Sequence, residues 1–280
     1  SLAFESAMRL VCGSRTVDLS APVVMGVVNV TPDSFADGGR YANTAAAVAH
    51  GERLLAEGAA IIDVGGESTR PGAVSVGIAE EIDRVVPVIE QLAGADAVIS
   101  VDTSKPQVMQ AAVAAGASLI NDIRGLREPG AFEMACQLPA ALGIMHMQGE
   151  PVTMQQQPSY RDVVSEVRDF LSSRAQACLV GGVSPERVLL DPGFGFGKSF
   201  EHNIELLREL RQFAALGFPL MVGLSRKSLL GPLTGRAVHE RLAGSVALAT
   251  VAVLHGARVV RAHDVAATRD AIKVATAFAD

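Results

Sequence analysis

The feature that most constrains this chain is a repeated order. An apolar run rich in β-branched residues, a polar cluster and a helical stretch recur eight times with no linker between them. The runs fall at residues 23–29, 60–64, 97–101, 118–120, 140–145, 187–190, 219–223 and 258–260. Continuous apolar runs of this kind read as strands buried on both faces, the environment of a parallel sheet covered by helices. The helical stretches are 44–57, 78–92, 105–115, a brief one near 131–136, 160–179, 201–215, 240–255 and 265–278, with glycine stops such as Gly58 and Gly116. Residues 229–239 read as irregular, and 9–19, split by Gly13-Ser14, as a small hairpin. Strand and helix alternating over 280 residues fit a (β/α)8 TIM barrel or a doubly wound α/β sheet. A doubly wound sheet places its site only at a switch point, whereas here polar clusters follow nearly every strand. No GxGxxG follows the first strand either. The expectation is a single domain spanning 1–280, a (β/α)8 barrel with a short N-terminal hairpin.

Composition narrows the partners. A formal charge of −6 and the lack of any basic run argue against a nucleic-acid surface. Cys12, Cys136 and Cys178 are scattered without CxxC spacing, which reads as reduced thiols of a cytoplasmic protein. No apolar stretch reaches membrane-spanning length without a charge or glycine break, and the N-terminus lacks a secretory pattern, so no membrane partner is expected. No HExxH or similar spacing appears, which argues against a tightly held transition metal.

The chemistry is concentrated where strands end. After the first run, Thr31-Pro32 starts like a helix cap and is then dissolved by Asp37-Gly38-Gly39, leaving a polar loop at a strand's carboxyl end. Asp102, Asn121, Asp191 and Lys227 close or shortly follow different strands, bringing two carboxylates, an amide and an ammonium to one rim. That set suits a 2-amino-4-oxo heterocycle: carboxylates accept from its amino group and ring N–H, and an ammonium donates to its oxo group. Guanine and pterin present the same edge. Arg70, Arg226, Arg261 and His263 add positive charge, and Arg261 and His263 leave the last strand on one face, where such barrels commonly hold phosphate. Gly197-Lys198-Ser199 imitates the end of a P-loop, but Pro192 occupies the first glycine position and has no N–H to offer a phosphate. His146 follows a buried strand and is ambiguous, while His50, His202, His239 and His255 belong to helices.

Several stretches resemble, as an ordered set over essentially the whole chain, the signature motifs of dihydropteroate synthases, the folate-pathway enzymes inhibited by sulfonamides. They are MGVVNVTPDSF at 25–35, GGESTRPG at 65–72, Asp102-Thr103, Asn121-Asp122-Ile123, DPGFGFGK at 191–198, Ser225-Arg226-Lys227 and Arg261-Ala262-His263-Asp264. The resemblance implies condensation of 6-hydroxymethyl-7,8-dihydropterin diphosphate with p-aminobenzoate, releasing pyrophosphate. It implies a pterin site of Asp102, Asn121, Asp191 and Lys227, with Met145, Phe196 and Gly223 along the pocket. Diphosphate would fall to Asn29, Arg261 and His263, with Asn29 also holding Mg²⁺. For p-aminobenzoate it implies Phe35, Thr69, Arg70, Pro71, Lys227 and Ser228, the first four on loops expected to be mobile. Catalytic weight falls on Asp102, Lys227, Asn29 and Arg261. Homodimers through the late helices are also implied, and the apolar stretch 240–255 agrees. Two rivals stay open: a methyltetrahydrofolate-dependent methyltransferase, which would need no diphosphate site, and a non-catalytic pterin-binding paralogue.

Overall fold

A computed structural model describes residues 8–31, 39–69, 75–151 and 153–279. The chain opens with the expected hairpin, β1 (Arg9–Cys12) antiparallel to β2 (Arg15–Asp18), turned at Gly13. There follow β3 (Val23–Asn29), α1 (Gly39–Ala56), β4 (Ile61–Gly65), α2 (Ile78–Leu92), β5 (Val98–Asp102) and α3 (Pro106–Ala114). Next come β6 (Leu119–Asp122), α4 (Ala131–Gln137), β7 (Ala141–Met145), α5 (Val163–Val180), β8 (Val188–Asp191), α6 (Phe200–Arg208) and α7 (Leu210–Ala214). The chain ends with β9 (Met221–Gly223), α8 (Leu230–Thr234), α9 (Leu242–Leu254), β10 (Val259–Ala262) and α10 (Val265–Thr276).

Strands β3 to β10 pair in parallel in the order β8-β7-β6-β5-β4-β3-β10-β9. A parallel bridge between Leu190 and Leu220, with Leu190 N–H donating to the Pro219 carbonyl at 3.0 Å, joins the two ends of that sheet and closes the barrel. Side chains alternate along each strand, so every second residue points into the barrel. The lowest inward position is apolar in all eight strands: Met25, Ile61, Val98, Leu119, Ala141, Leu189, Met221 and Val259 form one cluster. The hairpin covers that end, adding Leu10, Cys12, Val17 and Leu19 to it. Outward residues such as Val24, Ile62, Ile99, Leu142, Val222 and Val260 pack against the helices in a separate, larger core.

Two residues further along each strand the inward positions change character. They are Val27, Asp63, Ser100, Asn121, Gly143, Asp191, Gly223 and Arg261. Ion pairs, hydrogen bonds and glycines occupy a level that aliphatic side chains fill in a packed barrel. The upper half is therefore a hollow with a polar floor, opening at the carboxyl ends of the strands.

Three helical expectations change. Helix α1 starts at Gly39, five residues before the expected start, since one glycine costs a helix only about 1 kcal/mol and the alanine-rich turns after it offset that. The stretch 201–215 is two helices, broken at Glu209. Residues 229–239 contain α8, closed by Gly235 in the left-handed conformation at φ 68°. Among the described residues no helix is long and apolar enough to cross a membrane.

Candidate functional site

The floor of the hollow is organised by Asp63, a carboxylate in the middle of the apolar strand β4 and fully buried. Its Oδ2 accepts from Arg261 Nε at 2.8 Å and from Asn121 Nδ2 at 3.1 Å. A buried carboxylate without such donors would be prohibitively costly, and here it is shared between two. Arg261 Nη2 reaches Asp102 Oδ2 at 3.4 Å, so its guanidinium lies between two carboxylates. Burial pushes Asp102 up to about 8, Asp63 beside it adding and Arg261 opposing. The same carboxylates hold Arg261 more firmly protonated than usual, against the cost of its burial. Asp63 Oδ1, Ser100 Oγ and Asn121 Oδ1 are buried and have no hydrogen-bond partner among the described residues. The free Asn121 oxygen is thus an acceptor available to a ligand's N–H.

Across the hollow, Asp191 ends β8 at 5% exposure. Its Oδ1 accepts from Gly193 N–H at 2.8 Å, and burial raises its pKa against the lowering effect of Lys227, Lys198 and Arg261. Lys227 is half-buried, its ammonium 4.7 Å from the centre of the Phe196 ring and donating to the Phe194 carbonyl. Burial brings Lys227 down to about 8, Asp191 holding it from falling further. The Cβ position of Gly223 lies 3.5 Å from Lys227 Nζ, which places the end of β9 directly beside that ammonium. Phe196 packs on a small apolar cluster of Ile123, Met145, Met147 and Met154, a wall of soft side chains against which a flat ring can lie.

The turn from Asp191 to Lys198 is pressed against the end of β7. A Cβ at Gly193 would run into the His146 carbonyl, and one at Gly197 into that of Gln148; both glycines have positive φ. Lys198, 2% exposed, turns inward and bonds within this turn, which agrees with the rejection of a phosphate-binding loop.

The cationic end is formed by β10. His263 Nδ1 is 2.9 Å from Ser225 Oγ, and burial beside Arg261 and Arg226 brings its pKa down to about 4. The imidazole is therefore neutral at physiological pH. Arg226 is bound bidentately by Asp264, at 2.7 and 3.1 Å, and so is committed to its own turn. Asn29 ends β3 beside Gly65, whose Cβ position would lie 3.7 Å from Asn29 Oδ1 and 3.7 Å from Asp102 Oδ2. A neighbouring hollow is lined by Thr69, Ser75, Asp102, Thr103, Lys105 and Arg124, among others. Lys105 bridges Glu67 at 2.7 Å and Glu81 at 2.5 Å.

The fold thus gathers Asn29, Asp102, Asn121, Met145, Asp191, Phe196, Gly223, Lys227, Arg261 and His263 at one barrel mouth. Thr69 borders the hollow next to Asp102, and Ser228 is exposed beside Lys227. Phe35, Arg70 and Pro71 lie outside the described residues. His146, ambiguous in the sequence, is buried with Nδ1 3.0 Å from Lys198 Nζ; burial and that lysine lower it to about 2. His202 completes a capping box with Ser199. Sequence reasoning missed Asp63. A lone carboxylate inside Ile61-Ile62-Asp63-Val64 was the available signal, since a charge in a strand buried on both faces requires partners.

Residues 25–263 match the model of a family described as pterin binding enzyme. The chain is similar to the dihydropteroate synthase of Escherichia coli K12, 49% identical over 271 residues, covering 96% of each chain. It also resembles the structure of Xanthomonas albilineans dihydropteroate synthase with 4-aminobenzoic acid, with a TM-score of 0.91, 50% identity and 98% of both chains covered. A structure of that organism's enzyme with 7,8-dihydropteroate gives 0.88 at 48% identity, covering 96% of this chain and 98% of the other.

Proposed function

The chain belongs to the dihydropteroate synthase family of pterin-binding enzymes, and from that premise we propose how its own residues carry the reaction. The enzyme condenses 6-hydroxymethyl-7,8-dihydropterin diphosphate with p-aminobenzoate to give 7,8-dihydropteroate and pyrophosphate. The pterin's amino group and ring N–H bind Asp102, Asp191 and the free oxygen of Asn121, and Lys227 donates to its oxo group. The ring lies along Met145 and Phe196. The diphosphate extends towards Arg261 and His263, and p-aminobenzoate enters over Thr69, Lys227 and Ser228, with Phe35, Arg70 and Pro71 supplied by the loops.

The bond between the exocyclic methylene and the diphosphate oxygen breaks, its electron pair leaving with pyrophosphate. Arg261 and a hydrogen bond from neutral His263 stabilise the charge that develops there. The cation left behind spreads over the dihydropterin ring. A carboxyl group balanced near neutrality, as Asp102 is, ionises more readily as that positive charge grows and opposes it at short range. The arylamine attacks the methylene and its proton passes to solvent; no Ser–His or Cys–His pair is needed.

The donor set fits Mg²⁺. Among the described residues no three His, Cys, Asp or Glu side chains converge on a metal position, and Asn29 offers one amide oxygen at the mouth. Mg²⁺ takes most of its oxygen ligands from phosphate and water, so one such ligand is enough, and the ion would neutralise charge on the leaving group.

Leu242, Val251 and Val274 on the late helices, with Phe278 just after the last, are exposed apolar side chains that support a homodimer. Free Cys12, Cys136 and Cys178 support a cytoplasmic location.

The observation that carries this assignment is the Asp63 junction. One buried carboxylate oxygen holds Asn121 for the heterocycle and Arg261 for the leaving group, so both halves of a pterin diphosphate have a place side by side. A pyrophosphate-release assay tests it: release is expected only when p-aminobenzoate is present. Release at the same rate without the amine, or none with it, would overturn the assignment.

A further inference from the structure

Lys198 is the buried charge that the reaction leaves unused. At 2% exposure it forms no ion pair among the described residues. Its Nζ instead faces four acceptors: the carbonyls of Gly193 at 2.9 Å, Phe196 at 3.0 Å and His146 at 3.2 Å, and His146 Nδ1 at 3.0 Å. Four acceptors and no donor suit an ammonium, which has three protons to give and no lone pair; burial pulls the Lys198 pKa well down, and Asp191 opposes that fall. With Lys198 as ammonium, His146 Nδ1 accepts and its ring proton sits on Nε2.

The contacts describe a closed turn. Gly193 donates its N–H to Asp191 and offers its carbonyl to Lys198, so one residue is held between the two charged side chains. The Phe196 carbonyl is bound by the same ammonium, which sets the ring under Lys227. His146, the residue after β7, supplies the anchor outside the turn. Tyr160 adds a second tie from its hydroxyl to the Gly197 carbonyl at 2.7 Å.

We propose that Lys198 is a positioning residue of the pterin pocket: its buried ammonium pins the 191–198 turn to the end of β7, fixes Phe196, and sets a second positive charge near Asp191. The charged and titratable groups around Asp191 are then Lys198 on its own turn, Lys227 after β9, Arg261 on β10 and His146 after β7. Lys227 is exchanged between protein and ligand, whereas Lys198 is out of a ligand's reach. Its charge opposes the burial that raises the Asp191 pKa, whether or not pterin is bound. The inference rests on the pterin role of Asp191 given above.

The test uses the full-length chain with Lys198→Met, which keeps the length and loses the charge. Asp191 is followed by carbon-13 NMR in ligand-free protein, its carboxyl signal assigned with Asp191→Asn. The Asp191 titration should move to higher pH in Lys198→Met. Calorimetry with 6-hydroxymethylpterin should show affinity down about tenfold, as for loss of one charge-assisted contact, with Mg-pyrophosphate affinity within about twofold of the parent. An unmoved Asp191 titration, unchanged pterin affinity, or equal losses for both ligands would each overturn the proposal. Should Lys198→Met not fold, nitrogen-15 lysine NMR of the unmutated protein decides. A protected Lys198 ammonium signal that shifts on pterin binding supports the proposal; a neutral amine, or a signal indifferent to pterin, overturns it. A parent that binds no pterin removes the assignment of the pocket, and this proposal with it, even if the ligand-free titration moves.

Discussion

Lys227 lies over Phe196 with its ammonium on the Phe194 carbonyl, so a bound heterocycle takes over a donor that the free protein already employs. Lys227→Ala should therefore weaken pterin binding by roughly 1.5–3 kcal/mol, about ten- to a hundredfold, and Lys227→Arg should not restore it, because a planar fork cannot replace a point donor. Calorimetry on the alanine variant checks this; unchanged affinity would remove Lys227 from the pocket. The same residue bounds the pH dependence. Asp102 must lose its proton to oppose the cation, and Lys227 must keep its own to hold the ring; burial pushes Asp102 up to about 8 and Lys227 down to about 8. The profile of kcat/KM for the pterin diphosphate should rise with pH as Asp102 ionises and fall as Lys227 deprotonates, a narrow bell centred near 8. A profile flat from about pH 6 to about pH 9 would contradict those roles. Residues that end strands, Asp102, Asn121, Asp191 and Arg261, were legible in the sequence because a polar residue after an apolar run marks the barrel mouth. Asp63 was not, because its reason for being buried is Arg261, 198 positions away, and no local pattern carries that pairing.

Among the elements, the hairpin is the clearest division between stability and function. β1 and β2 cover the lower end of the barrel, and fully buried Leu10 and Leu19 lie with Met25, Ile61 and Val259. Leu10→Ala should cost about 3 kcal/mol in denaturant unfolding, the usual range for a large apolar side chain removed from a packed core. Pterin affinity should not change, since the site is at the opposite end; a parallel loss of affinity would mean that the two ends are coupled. The periodic elements were the readable ones: α2 falls on the expected residues 78–92, and each barrel strand within a few residues of its apolar run. Where the reading failed, tertiary packing had overruled local cues. Leu230 is buried in the helical core beside α9, which makes α8 a helix despite Gly231 and Pro232. The loops after β3 and β4 carry Phe35, Arg70 and Pro71, which fall outside the described residues.

For the molecule as a whole, assembly is the open measurement. Leu242 and Val251 on α9, with Val274 on α10 and Phe278 just after it, leave apolar surface exposed on neighbouring helices. Sedimentation at micromolar concentration should show a dimer, and Val251→Lys should shift it to monomer; a monomeric parent would refute the pairing. The strand order has its own bearing on how the chain matures. β3 is made first of the eight barrel strands and β10 last, yet they are neighbours, and β10 brings the guanidinium that Asp63 and Asp102 require. While a ribosome is still extending the chain, these two carboxylates have no counterion and the barrel has no wall beside β3. Each growing chain must keep that gap from pairing with another until synthesis reaches β10. Closure of the wall beside β3 and appearance of the binding site therefore wait on the same strand.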